Sequence, residues 1–389
     1  MSSARPAEEP LAETLSGAPF VRVAAASDGD SLAAAGLLAR ACAERATPFQ
    51  LRLDDEAAAA TEDAVTVTVG PTAVDGDASL GHPASPTAFA VARRLGADPD
   101  PILALVGTIA AGETVQAADA ALDAAKEAGL VDRAPGLALP TDDVPADLAA
   151  STLLHGPPSG DEDAAAAVVA ELDSDEHAPG GDAGDGSHAA GDDAGSGGEF
   201  DRRLASLVTI DAVAAEDATE RAAREIERAL RPYRTPDAPF ATLGGYADVL
   251  DAAARRSPTA GISLALGGPD GADETALAAW REYGDSVHVG LRKAETRRHH
   301  GVWVLELEAA APEILPAVAR LARDFRSPEP VALAVTDGAA AAAGESGIGD
   351  AVSAAADAVG GTGLGTESTG RARFDTDTEQ FTETFREQL

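Results

Sequence analysis

Two carboxylates and a hydroxyl group follow a short apolar segment near the start of the chain. The segment VRVAAA (21–26) is typical of a buried strand, and Asp28, Gly29, Asp30 and Ser31 lie between it and a helix-forming stretch. Open sheets bind ligands beyond the carboxyl ends of their strands, and Mn²⁺ and Mg²⁺ prefer carboxylate oxygens. This spacing predicts that Asp28 and Asp30 bind a divalent metal ion. The alternative is a helix N-cap followed by an ordinary acidic turn.

The elements that must position these residues predict an α/β fold. Residues 1–155 alternate strand and helix patterns in the manner of a parallel sheet. A second strand is predicted at 65–70, with helices at 85–96, 98–112 and 114–130. Near the C-terminus, strands are predicted at 302–308 and 331–337, with helices at 274–299, 312–325 and 349–361. The segment AGISLALGG (260–268) is interpreted as a strand or a buried segment.

A change in composition predicts the domain organisation. Residues 156–199 are rich in Gly, Asp, Ser and Ala; 161–172 can form a short helix, whereas 173–199 has too little apolar surface to offset its ordering entropy. A long charged helix is predicted at 211–231. We therefore expect a parallel-sheet domain at 1–155, an acidic insertion or linker at 156–199, a connecting helix at 200–240 and a smaller α/β domain at 241–389.

The charge of the chain is extreme. Its 66 acidic and 29 basic residues give a net charge of −37, and lysine occurs only at positions 126 and 293. A carboxylate-rich, lysine-poor surface stays hydrated in molar salt, where the Debye length is about 3 Å. We interpret the composition as that of a cytoplasmic protein of an extreme halophile. The acidic balance therefore reflects the solvent and does not exclude a nucleic-acid partner, which would need a local arginine-rich groove.

Cysteine use and hydropathy exclude several classes of protein. The single cysteine, Cys42, rules out a disulfide framework and a cysteine metal site. The N-terminal residues SSARPAEEP (2–10) carry no apolar signal segment, and no later segment approaches the roughly 18 apolar residues that a membrane span needs. We expect no membrane association.

Three segments resemble the DHH phosphoesterase superfamily, and within it the archaeal RecJ-like proteins related to the GINS-associated nuclease and to the eukaryotic helicase scaffold that joins GINS and MCM. The segment SDGDSLAAAGLLARA (27–41) is similar to the first family motif. The segments APFATLGGYADVLDAAARRSPTAGISLALGG (238–268) and WREYGDSVHVGLRKAE (280–295) are similar to the beginning of the second half. The segment AVGGTGLGTESTGRARFD (358–375) is similar to the glycine-rich signature of the C-terminal, DHHA1-like domain.

The resemblance implies a two-metal site, but most of its ligands are missing. The histidines usual before the paired aspartates are replaced by Ala26 and Ser27, and Gly70 and Pro71 follow the second strand where an aspartate is expected. The Asp-His-His signature is absent, and its nearest substitutes are the widely spaced Asp75, Asp77 and His82. The segment GTIAAG (107–112) offers no carboxylate at the last position. The pair Asp28 and Asp30 is interpreted as vestigial.

The C-terminal signature predicts a contact with nucleic acid. Backbone amides of a glycine loop and guanidinium groups can both meet a phosphate, and the loop residues are Gly360, Gly361, Gly363, Arg371 and Arg373. The structural alternative is a glycine-permitted turn between a helix and a last strand. Thr366, Glu367 and Ser368 stand where the family commonly has a histidine.

The preferred hypothesis is a catalytically degenerate RecJ-like protein, a scaffold or single-strand-binding factor in archaeal DNA replication or repair. By resemblance its partners are GINS and, through it, MCM, and it needs either no cofactor or Mn²⁺ or Mg²⁺. The alternative is an active metal-dependent exonuclease that hydrolyses phosphodiesters of single-stranded DNA or RNA, using Asp28, Asp30, His82 and either Asp75 or Asp77. A third hypothesis is a regulatory domain that binds a nucleotide without hydrolysing it.

Overall fold

The computed structural model describes residues 8–53, 63–176, 193–214, 219–269 and 271–389. The elements of the first part are, in chain order, α1 (Glu8–Ser16), β1 (Phe20–Ala25), α2 (Gly29–Glu44), β2 (Phe49–Leu53), β3 (Ala64–Val69), β4 (Ala78–Leu80), α3 (Ser85–Arg94), α4 (Pro101–Ala110), a 3-10 turn (Val115–Ala118), α5 (Asp119–Glu127), β5 (Asp132–Arg133) and α6 (Val144–Ala150).

The middle and C-terminal elements follow. The middle ones are α7 (Glu162–Glu176), α8 (Asp193–Ala214), α9 (Glu220–Ala229), β6 (Tyr233–Arg234), α10 (Leu243–Arg256), α11 (Pro258–Ala265) and α12 (Ala272–Lys293). The C-terminal ones are β7 (Glu295–His299), β8 (Val302–Glu306), a 3-10 turn (Pro312–Ile314), α13 (Leu315–Leu321), a π-helical turn (Ala322–Arg326), β9 (Val331–Thr336), β10 (Ala339–Ala343), α14 (Ile348–Ala358), β11 (Thr362–Gly365), β12 (Thr369–Arg373) and α15 (Thr378–Gln388).

The N-terminal sheet is parallel and has the strand order β2-β1-β3-β4. Strand β1 lies between β2 and β3, with Val23 opposite Leu51 and Val67. Residues 21–26 are all buried, which is why this strand is a continuous apolar run with only one charged residue, Arg22. The predicted parallel sheet of the N-terminal domain is confirmed.

Helix α2 is the centre of the N-terminal part, because all its residues from Gly29 to Ala39 are buried. It packs against α3, α4, α10 and α11. Small residues lie at some of these contacts, and a Cβ added at Gly36 would stand 2.9 Å from the Cβ of Ala265 in α11. Because alanine and glycine let helix axes approach closely, α10 and α11 can sit directly on α2. The predicted domain boundaries stay a prediction, and a boundary at 241 has to accommodate this packing.

The C-terminal sheet has the order β11-β12-β10-β9-β8-β7, in which β8 and β9 are parallel and the other neighbours antiparallel. Alternate residues of β9 and β10 point to opposite faces. Leu333 and Ala342 pack with α14 and α15, whereas Ala334 and Ala341 belong to the core that includes α13. Helices therefore cover both faces, and the predicted C-terminal α/β arrangement is confirmed.

The segment 260–268 and the end of the helix predicted at 274–299 differ from the prediction. The segment 260–268 is largely helical, since α11 ends at Ala265, so the strand interpretation is wrong; a short buried apolar run carries no periodicity that separates a strand from a helix. The helix predicted to reach 299 ends at Lys293, and β7 follows. Strand β7 pairs with β8 across His300 and Gly301, where Gly301 has a φ of +83°. This glycine permits the tight hairpin turn.

Strand β10 consists of five alanines and was missed in the sequence, because alanine favours helices. It pairs with β9 across Asp337 and Gly338, an Asp-Gly turn of the kind that joins hairpin strands. All five alanines are buried. Their strand conformation is therefore decided by the neighbouring strands and helices rather than by propensity.

The predicted acidic insertion is helical at both of its described ends. Helix α7 runs from Glu162 to Glu176, longer than the predicted 161–172, and α8 already begins at Asp193. Residues 177–192, to which most of the flexible part was assigned, lie outside the described residues. The helix predicted at 211–231 is divided between α8 and α9. None of the helices in the described ranges combines the length and the apolar character that a membrane crossing requires.

Candidate functional site

The paired aspartates lie at the carboxyl-end edge of the N-terminal sheet, as the sequence predicts. Strand β1 ends at Ala25, and helix α2 begins at Gly29. The parallel neighbour β3 ends at Val69, and the amide of Ala26 donates to the Val69 carbonyl over 2.9 Å. The ends of β1 and β3 therefore meet beside the start of α2.

Asp28 caps helix α2. Its Oδ1 accepts a hydrogen bond of 2.8 Å from the Ser31 amide, and its Oδ2 accepts one of 3.0 Å from the Ser31 hydroxyl. Burial raises the pKa of Asp28, the positive charge of Arg255 partly opposes this rise, and the negative charge of Asp30 adds to it. The N-cap alternative from the sequence is therefore realised at Asp28, and both carboxylate oxygens have donors.

Asp30 is buried, with 2% of its surface exposed, and it ties α2 to the start of α3. Its Oδ1 accepts from the Ser85 amide at 2.9 Å and from the Ser85 hydroxyl at 2.6 Å. Its Oδ2 accepts from the Ala84 amide at 2.6 Å. A carboxylate whose oxygens are both occupied by protein donors in the core acts as a structural anchor.

Of the weaker candidates, His82 lies close to Asp30, whereas Asp75 and Asp77 do not join the paired aspartates. The His82 Nδ1 lies 3.6 Å from the Asp30 Oδ2, and the neighbouring Asp30 carboxylate raises the pKa of His82. Asp75 and Asp77 are exposed. The Asp77 carboxylate accepts a 2.8 Å hydrogen bond from the amide of Thr66, near the beginning of β3 and away from its carboxyl end.

Sequence reasoning missed two residues of helix α10 that complete this edge. The Asp251 Oδ1 accepts a 2.8 Å hydrogen bond from the Gly29 amide, the first residue of α2. Arg255 donates to both oxygens of Asp251, from Nε to Oδ2 over 2.9 Å and from Nη2 to Oδ1 over 3.0 Å. We call Asp28, Asp30, Asp251 and Arg255 the carboxylate edge. The i,i+4 spacing of Asp251 and Arg255 is visible in the sequence, but their contact with Gly29 is not.

Electrostatics at α10 favour a charged pair. Burial acts to raise the pKa of Asp251, but the charge and hydrogen bonds of Arg255 outweigh it and hold this pKa below its ordinary value. Burial likewise acts to lower the pKa of Arg255, and the attraction of Asp251 overcomes it and raises that pKa. Asp251 is therefore an anion and Arg255 a cation at neutral pH.

Packing leaves no room for the carboxylate that the resemblance expects after the second strand. Gly70 has a φ of +73°, and a Cβ at this position would lie 2.1 Å from the Ser31 hydroxyl oxygen. A Cβ at Gly29 would lie 2.7 Å from the Cβ of Ala110 and 3.1 Å from the Cα of Asp251. Both glycines are required for this close approach, and an aspartate at position 70 would collide with the cap of α2.

The donor set does not fit a two-metal centre. Across the described ranges, no group of three or more His, Cys, Asp and Glu side chains is arranged to hold a metal ion. The oxygens of Asp28, Asp30 and Asp251 already accept hydrogen bonds from Ser31, from residues 84 and 85, and from Gly29 and Arg255. A metal ion would have to displace these donors to bind here.

The glycine-rich C-terminal segment makes close backbone contacts. A Cβ at Gly361 would lie 2.2 Å from the Arg373 carbonyl oxygen, and one at Gly363 would lie 2.6 Å from the Cα of Ser353. Arg373 is exposed on β12. Arg371 is half-buried and donates a 3.1 Å hydrogen bond to the Pro71 carbonyl, in the loop that follows β3. The turn interpretation explains the glycines, and nucleic-acid binding by this segment stays a prediction.

Comparison with known proteins identifies relatives in sequence and in fold. A family model described as "Uncharacterized protein rrnAC1427, C-terminal domain" matches residues 294–387. The uncharacterized protein rrnAC1427 of Haloarcula marismortui is 44% identical over 391 residues, covering 98% of this chain and 97% of the relative.

The structural comparison concerns the fold alone. The crystal structure of CDC45 from Entamoeba histolytica matches with a TM-score of 0.58 at 8% identity, over 98% of both chains. RecJ from Thermus thermophilus, in complex with Mn²⁺, matches with a TM-score of 0.48 at 15% identity; the match covers 98% of this chain but 53% of the RecJ chain, so this chain spans about half of its length. The match to CDC45 shows a shared fold and agrees with the predicted α/β class.

Proposed function

The chain belongs to the family of the Haloarcula marismortui protein rrnAC1427, and we propose that it is a catalytically degenerate RecJ-like protein that acts as a scaffold or single-strand-binding factor in DNA replication or repair. The proposed partners are GINS and, through it, MCM. The proposed location is the cytoplasm of a halophilic archaeon, which agrees with a net charge of −37 and with the source of the relative.

The hydrogen bonds of Asp30 support the proposed loss of catalysis. The buried Asp30 uses both carboxylate oxygens to hold Ala84 and Ser85, with hydrogen bonds of 2.6 to 2.9 Å. Hydrolysis by two metal ions requires carboxylate oxygens that face the metals and a water. Because its hydrogen bonds stabilise the junction of α2 and α3, Asp30 fits the role of a fold anchor better than that of a metal ligand.

The scaffold role is supported by what remains in place. The chain matches the fold of CDC45 over 98% of each chain. The oxygens of the carboxylate edge accept hydrogen bonds from within the protein. The hydrogen bond from Arg371 to the Pro71 carbonyl joins β12 to the N-terminal part. A protein that has this fold and does not hydrolyse nucleic acid would fit a role in holding partners together. The exposed Arg373 is the proposed contact for single-stranded nucleic acid.

One observation favours the alternative of an active exonuclease that uses Asp28, Asp30 and His82, with Asp75 or Asp77. The His82 ring lies 3.6 Å from Asp30, and 29% of its side chain is exposed. A histidine in this position can act as a general acid or a ligand. The exposed Asp75 and Asp77 weaken this alternative, because neither joins the cluster in the described structure.

The test uses purified full-length protein in molar KCl. We expect no degradation of 5′-ended single-stranded DNA or RNA with Mn²⁺, and we expect co-purification of GINS or MCM subunits from a halophile lysate at native salt. In the same samples, Arg373→Ala should weaken single-strand binding and reduce its salt dependence, because one phosphate contact is lost.

The control for hydrolysis is Asp28→Ala, which removes the cap of α2. Degradation that Mn²⁺ supports and Asp28→Ala abolishes would establish the exonuclease and reject the scaffold. A lysate pull-down that recovers no replication or repair protein would count against the proposed partners.

A further inference from the structure

Three carboxylates and one guanidinium group converge where α10 crosses the start of α2. Asp28 and Asp30 come from α2 and its cap, and Asp251 comes from α10 and accepts the Gly29 amide. Arg255 pairs with Asp251 of this set and 15% of its side chain is exposed, while His82 lies 3.6 Å from Asp30. Like charges removed from water repel strongly, so such a set needs a positive partner to stay ionised.

The guanidinium group is held with two-point geometry. Its Nε and Nη2 donate to the two oxygens of Asp251 over 2.9 Å and 3.0 Å. Planar two-point pairing is the strongest arrangement available to an arginine and a carboxylate. The same Asp251 oxygen that accepts from Nη2 also accepts from Gly29, so Arg255 is coupled through Asp251 to the first residue of α2.

The influence of Arg255 extends past its direct partner. Its charge opposes the rise in pKa that burial causes at Asp28, and it outweighs the effect of burial at Asp251. The start of α2 is tightly packed against α10, because a Cβ at Gly29 would lie 3.1 Å from the Cα of Asp251. A divalent cation that binds both oxygens of Asp251 would have to displace Arg255.

We infer that Arg255 is a built-in cation that compensates the carboxylate edge permanently, so that this chain is fully folded without a divalent metal ion. The inference rests on the proposed loss of catalysis and explains how the carboxylates can persist without metal. It makes Arg255 a positioning residue for α2 and α10. Removing the guanidinium frees the Oδ2 of Asp251 beside two further carboxylates, so that Mn²⁺ should stabilise the variant although it does not stabilise the wild type.

The experiment measures melting temperatures of the full-length protein in molar KCl, with EDTA or with millimolar Mn²⁺. The variants are Arg255→Met, Arg255→Lys and the double variant Asp251→Asn with Arg255→Met. The matched control is Arg256→Met, because Arg256 is the next residue of α10 and its ion pair, 2.9 Å to Glu313, lies outside the carboxylate edge. This control corrects for Mn²⁺ that binds the acidic surface.

We expect the wild type to melt at the same temperature in EDTA and in Mn²⁺, once the Arg256→Met response is subtracted. Arg255→Met should melt lower by roughly 5 °C or more in EDTA, because an unpaired buried carboxylate remains, and Mn²⁺ should recover much of the loss. Arg255→Lys should fall in between, since a point charge replaces the two-point fork. The double variant should melt above Arg255→Met in EDTA and should not respond to Mn²⁺.

Several outcomes would overturn the inference. One is a wild type that gains as much from Mn²⁺ as Arg255→Met does, and another is an Arg255→Met variant that melts with the wild type. If Arg255→Met does not fold, the double variant decides, because a double variant that also fails to fold shows that Arg255 acts through packing and not charge. Nuclease activity of the wild type would contradict the proposed function whatever these temperatures are, and a Mn²⁺ response of an inactive wild type would contradict this inference alone.

Discussion

One half-buried and one buried carboxylate on helix α10 are stabilised in opposite ways. Asp251 in the carboxylate edge pairs with the guanidinium of Arg255 over 2.9 Å and 3.0 Å, and its pKa is lowered. Asp248, one turn earlier, is 4% exposed, the hydrogen bonds that it accepts from the described residues come from neutral groups, and burial raises its pKa. Helix α10 therefore carries one carboxylate that forms an ion pair, Asp251, and one that accepts hydrogen bonds from neutral donors, Asp248.

The donors to Asp248 come from two separate segments. Thr152 donates from its amide over 2.9 Å and from its hydroxyl over 2.5 Å, the Trp280 indole donates over 2.9 Å, and the Ser151 hydroxyl donates over 3.2 Å. We call Asp248, Ser151, Thr152 and Trp280 the Asp248 cluster. Since Trp280 is fully buried in α12, the cluster fastens α10 to α12 and to the segment after α6.

The two acidic residues of α10 therefore stabilise the fold in two different ways. The Asp248 cluster needs oxygen acceptors and little charge, because its partners are hydroxyl, amide and indole groups. The carboxylate edge needs a negative charge at Asp251, because its partner is a permanent cation. Neither carboxylate can bind a metal ion without losing a hydrogen bond to a protein donor. Three substitutions test this difference.

Asp248→Ala should have the largest effect. It leaves the amide and hydroxyl of Thr152 and the indole of Trp280 without an acceptor in the core, which we expect to cost about 4 kcal/mol in the free energy of unfolding. Urea unfolding in molar KCl, followed by tryptophan fluorescence, measures the loss. A change below about 1 kcal/mol would mean that water replaces the carboxylate and that the cluster fastens nothing.

Asp251→Asn should have an intermediate effect, about 2 kcal/mol at neutral pH, because it leaves the half-buried charge of Arg255 without its counter-ion. The lowered pKa of Asp251 means that its contribution is present above the ordinary value of 3.8 and is lost as the pH falls through the lower, folded value. The difference between wild type and variant in urea unfolding should therefore shrink as the pH falls below about 4. A difference that grows on acidification would contradict the charge pairing.

Asp248→Asn should have the smallest effect, about 1 kcal/mol or less at neutral pH, because an amide keeps an acceptor for Trp280 and its nitrogen can donate to the Thr152 hydroxyl. Because the pKa of Asp248 is raised in the folded protein, its protonation adds to the free energy of unfolding of the wild type. This contribution is complete below the ordinary pKa of 3.8 and is lost as the pH rises through the folded value.

The variant does not titrate at position 248, so the cost of Asp248→Asn should fall as the pH is raised from about 4 to about 8. This is the opposite of the trend expected for Asp251→Asn within its acid range. Two variants with parallel pH profiles would remove the distinction between the Asp248 cluster and the carboxylate edge.

Much of the fold could be predicted from local patterns. The strand at 21–26, the Asp28 cap and helix α2 follow each other in sequence, and an apolar run with an i to i+3 cap is a local signal. The strand β9 and the helix α14 are predictable for the same reason. The alanine strand β10 was not, because its conformation depends on pairing with β9 and β12, which local propensity opposes.

The candidate site also combines features that follow from local sequence with features that depend on long-range contacts. The sequence by itself determined that Asp28 and Asp30 stand at a strand-to-helix junction and that most expected ligands are replaced, since both follow from residue types at short spacing. Only the tertiary structure decided what the aspartates do. The Asp30 carboxylate accepts hydrogen bonds from the amides of Ala84 and Ser85. The Gly29 amide donates to Asp251, which lies 222 positions further along the chain. Such pairings result from how α10 packs on α2, and the free energy of that packing is distributed over the whole core rather than encoded at the site.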